Sequence, residues 1–340
     1  MKKPGASEKL LITIIALFLF SLPNLIESRS WQNIPVFFRS PAIQAFTVFL
    51  MAIVLEALPF ILIGSVISGL IEVYLPEKAI TRIFEKKNTL LLIPVAGLLG
   101  LALPICECGI IPVVRRLLKK GVPFSVAITY MLTGPIINVT VLASTSLAFW
   151  KEPKIIFWRP VLAFLIGTTI GFASKRFEKT ALLPIKENPK KDHCCEECCD
   201  EEHHHHSKNW LTVFSHAGDD FFLMGKYLIV GAMVASFVQV GLPRENLLVF
   251  SHNLPLAITA LMALAFLLNL CSESDAFVAS TFVQFPAAAK IAFLVSGPML
   301  DLKMILMFLS IFRKRYIIFL AASIAVLVFI CTYFLGVVLR

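Results

Sequence analysis

Two thiols and a carboxylate fall on consecutive residues in Leu103-Pro104-Ile105-Cys106-Glu107-Cys108-Gly109, inside an apolar run of the chain. An ionisable side chain at bilayer depth costs roughly 2.5–3.5 kcal/mol on insertion scales, so it marks a functional-site candidate. In a regular helix, residues two apart point about 200° away from each other. In an extended stretch they fall on one side. Pro104 and Gly109 bracket the pair and predict an unwound segment in which Cys106 and Cys108 converge. Glu107 then faces the other way, as a proton acceptor or hydrogen-bond partner. Converging thiolates suit Cu(I), Zn(II) or trivalent arsenic. The plainer alternative is that both cysteines are small buried apolar residues.

A second copy of the pattern, Cys271-Ser272-Glu273-Ser274-Asp275, follows 165 residues later. It keeps one thiol and supplies Glu273 and Asp275 where the first copy has Cys108 and Gly109. Cys106, Cys108, Cys271 and Glu273 are therefore expected to form a mixed sulfur and oxygen cage; alternatively, Glu273 and Asp275 keep a vestibule wet. Gly134-Pro135 and Gly297-Pro298 should break their helices, and the carbonyls freed there must face protein or a cavity, not lipid. Asn138 and Asp301, three residues after each proline, are candidates to line that cavity, unless Asp301 forms a quiet ion pair with Lys303. Glu56, just before Leu58-Pro59, is a candidate proton carrier, whereas Asp219 and Asp220 are expected at an interface.

A third feature is a polar loop. Within it, His193, Cys194, Cys195, Cys198, Cys199, His203, His204, His205 and His206 form a strong metal-binding signal. Cys195 and Cys198 have C-x2-C spacing, and the neighbouring thiols, carboxylates and imidazoles outnumber one tetrahedral site. A metal buffer or sensor fits better than a rigid structural zinc; an inserted affinity tag is the bland alternative. Clustered thiols beside histidines also suit a reducing compartment better than disulfides. No resident cofactor is required: zinc or copper enters as substrate and as loop ligand.

These groups need elements that hold them in a membrane. The chain has 340 residues, 58% hydrophobic and 16% charged, with a mean hydropathy of +0.82. That excludes an ordinary soluble domain. The net charge of +9 sits in short loops, where it orients a membrane protein, and is no nucleic-acid footprint. Apolar runs long enough to approach or span ~30 Å of hydrocarbon lie at roughly 10–27, 42–73, 89–114, 123–149, 160–174, 216–242, 254–271, 286–311 and 316–339. The first follows Lys2, Lys3 and Lys9 and reads as an uncleaved anchor, because Ser21-Leu22-Pro23-Asn24 is a poor cleavage site.

Landmarks recur in order along two halves: Gly64 with Gly231, Cys106 with Cys271, and Thr133-Gly134-Pro135 with Ser296-Gly297-Pro298. Their nearly constant spacing indicates an internal duplication. Segment 89–114 carries too many prolines and glycines for a clean helix. As a re-entrant hairpin it leaves the basic residues at 78–87 and 115–120 on one face, as the positive-inside rule requires. The expected fold is an all-α polytopic membrane protein of two inverted repeats, each of about three transmembrane helices plus a re-entrant broken hairpin, with an extra N-terminal helix. The parts are an N-terminal anchor helix and loop (1–40), a first membrane repeat (41–174), a cytoplasmic Cys/His-rich loop (175–209) and a second repeat (210–340). The N-terminus and the 175–209 loop are expected in the cytoplasm.

Pro104, Cys106, Cys108 and Gly109, followed by Thr133, Gly134, Pro135 and Asn138, resemble the ArsP-type (YraQ-like) permease family across roughly residues 42–339. That resemblance implies an inner-membrane efflux permease, with characterised members exporting trivalent organoarsenicals. The Cys-Glu-Cys form of the motif and the Cys/His-rich loop resemble a branch thought to export copper or zinc. Arsenical exporters of the family usually carry Ser where this chain has Glu107, which favours a metal cation over a neutral organoarsenical.

No G-x-x-x-x-G-K-[ST] motif occurs, so an ion gradient or a separate partner would drive transport. The expected partners are the lipid bilayer, metal ions, and a second permease subunit or further copy of the chain; nucleic acid is not among them. An enzyme is not expected. The competing class is a membrane thiol–disulfide oxidoreductase cycling Cys106 and Cys108, but it leaves the duplicated, broken helices unexplained.

Overall fold

The computed structural model describes residues 40–74, 89–102, 105–177, 180–182, 210–241 and 253–338. The N-terminal anchor and the ligand-rich stretch 193–206 lie outside the described residues. The chain divides into two compact units, residues 1–48 and 49–340, and every contact discussed below lies within the second.

Among the described residues the chain is helical, and six helices of the first half recur in order in the second. The first half holds α1 (Pro41–Tyr74), α2 (Thr89–Leu98), α3 (Glu107–Lys119), α4 (Phe124–Thr133), α5 (Val139–Ala148) and α6 (Pro153–Ser174). The second holds α7 (Trp210–Val240), α8 (Leu254–Leu268), α9 (Ser274–Ser280), α10 (Ala287–Met299), α11 (Leu302–Phe308) and α12 (Lys314–Val338). In both halves long helices flank four short ones.

Among the described residues, five helical stretches are long and apolar enough to cross a membrane: Pro41–Tyr74, Pro153–Phe177, Ala217–Val240, Ala287–Phe308 and Lys314–Val338. At about 1.5 Å per residue, none of the helices α2 to α5 could cross ~30 Å alone. Segment 89–114 is broken, but not up to Gly109 as expected: α2 runs into a short 3-10 turn at Leu99–Leu101, and α3 already starts at Glu107 and takes in Gly109. Segment 123–149, expected to span, is instead two ten-residue helices, α4 and α5. The amides of Ile136 and Ile137 both turn back onto Thr133 O, at 3.0 and 2.8 Å, which closes the chain after Gly134-Pro135.

The second Gly-Pro pair behaves differently. Helix α10 runs through Gly297 and Pro298 and ends at Met299, where Leu300 N still donates to Ser296 O at 2.9 Å. The break moves to Leu300-Asp301. A proline in the last turn of a helix removes one amide donor and leaves the preceding turns intact.

Packing repeats as the sequence landmarks do. Helices α2, α4 and α6 pack on one another, as α8, α10 and α12 do, and α6 joins the two sets through α10 and α12. Further contacts cross between the halves, α4 on α10 among them; two of these, α3 on α11 and α5 on α9, form a matched pair. Each joins the third helix of one half to the fifth of the other.

Candidate functional site

Four of the sequence-predicted binding residues sit at the N-caps of the short helices. Cys106 caps α3, Asn138 caps α5, Glu273 precedes α9 and Asp301 caps α11. Asn138 Oδ1 accepts from Thr140 N at 3.1 Å, and Asp301 Oδ1 accepts from Met304 N. These side chains satisfy backbone donors that a helix start leaves open. The spacing after each Gly-Pro pair thus places two polar caps inside the protein, where both residues are buried.

Cys106 is extended, at φ −72° and ψ 170°, but Glu107 and Cys108 already belong to the first turn of α3. The unwound stretch ends at Cys106, two residues before the last thiol of the motif. Glu107 therefore does not turn away from the thiols. Cys106, Glu107 and Cys108 line one small cavity together with Glu56, Cys271 and Lys303, closed on its apolar side by Ile53, Ala57 and Phe60. The structure brings all three membrane cysteines of the two motifs to one place.

The crossing of α1 and α3 is what allows this. A Cβ on Gly64 would lie 2.7 Å from Gly109 Cα, and one on Gly109 would lie 2.8 Å from Phe60 O. Backbone meets backbone there, which carries the thiols of α3 to the helix that bears Glu56. Cys271 donates to Glu56 Oε1 at 2.6 Å and lies 3.2 Å from Ser274 Oγ.

Opposite the thiols stands Lys303, whose ammonium is 3.0 Å from Glu107 Oε1, 3.3 Å from Asp301 Oδ2 and 3.3 Å from Asn269 O. Its backbone is held as well: Lys303 N donates to Asn269 Oδ1 at 2.9 Å. Asn269 adopts the left-handed region, φ 50°, which Asn tolerates better than most residues. All four residues are buried. The ion pair expected between Asp301 and Lys303 exists, but its main partner is Glu107, far away in sequence.

Glu273 is not in the cavity. Its Oε1 accepts from Thr140 Oγ1 at 3.1 Å, beside Asn138. Asp275 is buried deeper in the same region. There Arg159, wholly buried in α6, donates to Thr145 Oγ1 at 2.6 Å and to Ser272 O at 2.9 Å. Among the described residues, no three Cys, His, Asp or Glu side chains are gathered tightly enough to hold a metal ion. The geometry explains why: Cys271 is engaged by Glu56, Glu107 by Lys303 and Glu273 by Thr140.

Asp220, expected at an interface, is buried and clasps α7 to α1 and α3. Its Oδ2 accepts from Ser68 Oγ at 2.6 Å and Arg116 Nε at 3.0 Å. Arg116 also reaches Glu72 Oε2 at 3.2 Å. Sequence reasoning passed over Arg159, Asn269 and the role of Lys303. The available signal for two of them was a lone basic residue within an apolar run, the same signal that singled out Glu107.

A helical chain with several membrane-length segments, helices broken in its interior, and buried ionisable groups gathered at the breaks defines a multi-pass membrane protein with an internal polar site. This chain belongs to the ArsP_1 family of predicted permeases, whose family model matches residues 42–337. It is 41% identical over 292 residues to UPF0718 protein YcgR of Bacillus subtilis, an alignment covering 85% of this chain and 96% of the relative. It is 36% identical over 297 residues to a Streptococcus mutans protein described as a subunit of a two-component membrane permease complex, covering 86% and 95% respectively. A shorter match, 33% over 103 residues, is to UPF0718 protein MJ0584 of Methanocaldococcus jannaschii, with 29% and 27% covered. No solved structure matches the chain significantly.

Proposed function

We propose that this permease exports a soft or borderline metal cation, zinc or copper, from the cytoplasm through the cavity shared by Cys106, Cys108 and Cys271. The observation that carries the reading is the meeting of three thiols and two carboxylates, Glu56 and Glu107, in one enclosure. Thiolates with a few carboxylate oxygens are the donor set that Zn(II) and Cu(I) prefer over hard cations. Cys271, Glu56 and Glu107 already have local partners, so binding through them requires those partners to yield, as a carrier that alternates between two states demands. The recurrence of six helices, and the α3–α11 and α5–α9 contacts that exchange between halves, support two repeats inverted in the membrane and rocking about the site. Glu56, hydrogen-bonded to Cys271, is placed to take up the thiol proton when metal binds. The loop bearing His193, Cys194, Cys195, Cys198, Cys199 and His203–His206 would collect cytosolic metal for the site. The Streptococcus mutans relative's description supports a second subunit as a partner.

Export of trivalent arsenic or methylarsenite is the second reading, and Lys303 favours it. Pairing with Lys303 offsets the negative charge of Glu107, so Glu107 counts less against a neutral, thiol-seeking substrate than its sequence position suggests.

Uptake into everted membrane vesicles separates the two. Zinc, copper(I) and methylarsenite are offered in turn to vesicles bearing the parent, Cys106→Ser or Cys331→Ser, the last thiol lying outside the cavity. Zinc or copper uptake that vanishes in Cys106→Ser and persists in Cys331→Ser is the expected result. Methylarsenite uptake alone would replace the metal with the metalloid. Equal metal uptake by Cys106→Ser and the parent would rule out the thiol site.

A further inference from the structure

The Glu107–Lys303 contact has a near counterpart at the other cross-half joint, where the carboxylate, Glu273, matches Cys108, one residue on from Glu107. Lys303 Nζ meets Glu107 Oε1 at 3.0 Å where α11 packs on α3. Thr140 Oγ1 meets Glu273 Oε1 at 3.1 Å where α5 packs on α9. Lys303 lies two residues after the Asp301 cap, and Thr140 two after the Asn138 cap. A neutral hydroxyl therefore suffices to tie a carboxylate across such a joint. The ammonium at the first joint needs another reason.

That reason lies in the cavity. Lys303 borders it beside Cys106, Cys108 and Cys271, and its charge is held by Glu107 and Asp301, both wholly buried. Glu107 keeps one oxygen, Oε2, without a hydrogen-bond partner, and Asp301 Oδ2 has only the Lys303 ammonium, at 3.3 Å. They have spare acceptor capacity in an interior where unpaired acceptors are costly. Resting on the metal-export reading above, we propose that Lys303 is a tethered cation that neutralises Glu107 and Asp301 in the substrate-free carrier and is displaced when a metal cation reaches the thiols. The built-in ammonium and the transported cation compete for the same carboxylates. Lys303 then sets the charge the cavity accepts and drives release, because its return to Glu107 expels the cation.

Physical chemistry fixes the sign of the test. Removing one partner of a buried ion pair leaves an uncompensated charge. A cation that supplies the missing charge is then bound more tightly and released more slowly. The parent, Lys303→Thr (which copies Thr140) and Lys303→Arg are reconstituted in nanodiscs, and zinc binding is measured by equilibrium dialysis. The cavity thiols are also alkylated, without metal, by a cationic and an anionic methanethiosulfonate. Lys303→Thr should bind zinc about tenfold or more tightly than the parent, while vesicle uptake falls by a similar factor. Its cationic-to-anionic alkylation ratio should rise about fivefold or more, and Lys303→Arg should keep the parental ratio. In the parent itself, saturating zinc should expose Lys303 to an amine-acylating reagent, read by mass spectrometry, so the test survives a Lys303→Thr protein that does not fold. Lys303 acylation unchanged by bound zinc, or an unchanged reagent ratio in folded Lys303→Thr, would overturn the proposal. A parent that binds neither zinc nor copper(I) would instead remove the metal reading, and the reagent ratio would then decide the role of Lys303 by itself.

Discussion

Gly64→Ala tests whether the α1–α3 crossing builds the site. A Cβ at position 64 would meet Gly109 O, stand 2.7 Å from Gly109 Cα and 2.9 Å from Gly109 C, whereas ordinary contact begins at 3.4 Å. These are backbone atoms, so no rotamer change relieves them, and the two helices must separate by about 1 Å or lose their contact. Overpacking of this kind costs about 1–3 kcal/mol, a fall in Tm of about 1–4 °C for a chain of this size. Separation also carries Cys106 and Cys108 away from Glu56, and about 1.4 kcal/mol of the cost expressed in binding weakens metal affinity tenfold. Gly225→Ala is the matched control, since nothing lies within 4 Å of a Cβ there. It should leave stability within about 1 kcal/mol of the parent and uptake unchanged. Thermal unfolding in detergent and vesicle uptake of zinc and copper(I), run side by side on both variants, give the comparison. Gly64→Ala protein that melts and transports like Gly225→Ala would refute the claim that this crossing sets the cavity.

Two further outcomes follow from the same structure. Arg159→Met removes a buried guanidinium that holds Thr145 Oγ1 and Ser272 O together and leaves buried Asp275 without its nearby opposing charge; thermal unfolding should register about 3–5 kcal/mol of lost stability, and Arg159→Lys, able to reach only one of the two acceptors, should lose less. If the loop concentrates metal and the cavity carries it, as proposed, deleting residues 193–206 should raise the half-saturating metal concentration for vesicle uptake several-fold while sparing the maximal rate; a lost maximal rate at saturating metal would contradict that division of labour.

Much of the fold was legible because its signals are local. Prolines and glycines at 94–112 and 134–135 announce breaks by removing donors and lowering helix propensity; helices end at Leu98 and Thr133, while Pro94, Gly109 and Pro112 are carried within helices. Asn138 and Asp301 were readable as polar groups set at fixed spacing beyond those breaks, and both became N-caps. The recurrence of Gly64, Cys106 and Thr133 with Gly231, Cys271 and Ser296 marked a repeat, which the six matched helices reproduce in order. The partners of charged residues were not legible. Glu107 and Lys303 are 196 residues apart, and Ser68 and Asp220 are 152 apart. No one-dimensional period encodes such pairings; they arise only when α3 packs on α11, or α1 on α7. The orientation of Glu107 was illegible for a related reason: α3 starts at Glu107, ahead of Cys108 rather than after it, and the helical turn brings its side chain to the cavity.

The two cross-half joints nearly match in length, at 3.0 and 3.1 Å, but not in what it costs to open them. Separating Thr140 from Glu273 exchanges one hydrogen bond at an exposed hydroxyl for bonds to water, a change of about 0.5–1.5 kcal/mol. Separating Lys303 from Glu107 leaves the buried Glu107 carboxylate without its opposing charge, a penalty of several kcal/mol, although Lys303 still has Asp301 at 3.3 Å. On the alternating-access reading, the neutral joint opens by thermal fluctuation, and the charged joint opens only when something replaces the ammonium. A cation arriving at Cys106 and Cys108 is such a replacement, since it lies beside Glu107 in the same cavity. The asymmetry therefore couples the state change to the presence of cargo: without it the charged joint stays shut, and leakage of protons or other ions through the empty carrier is suppressed by the same pair that the cargo must break.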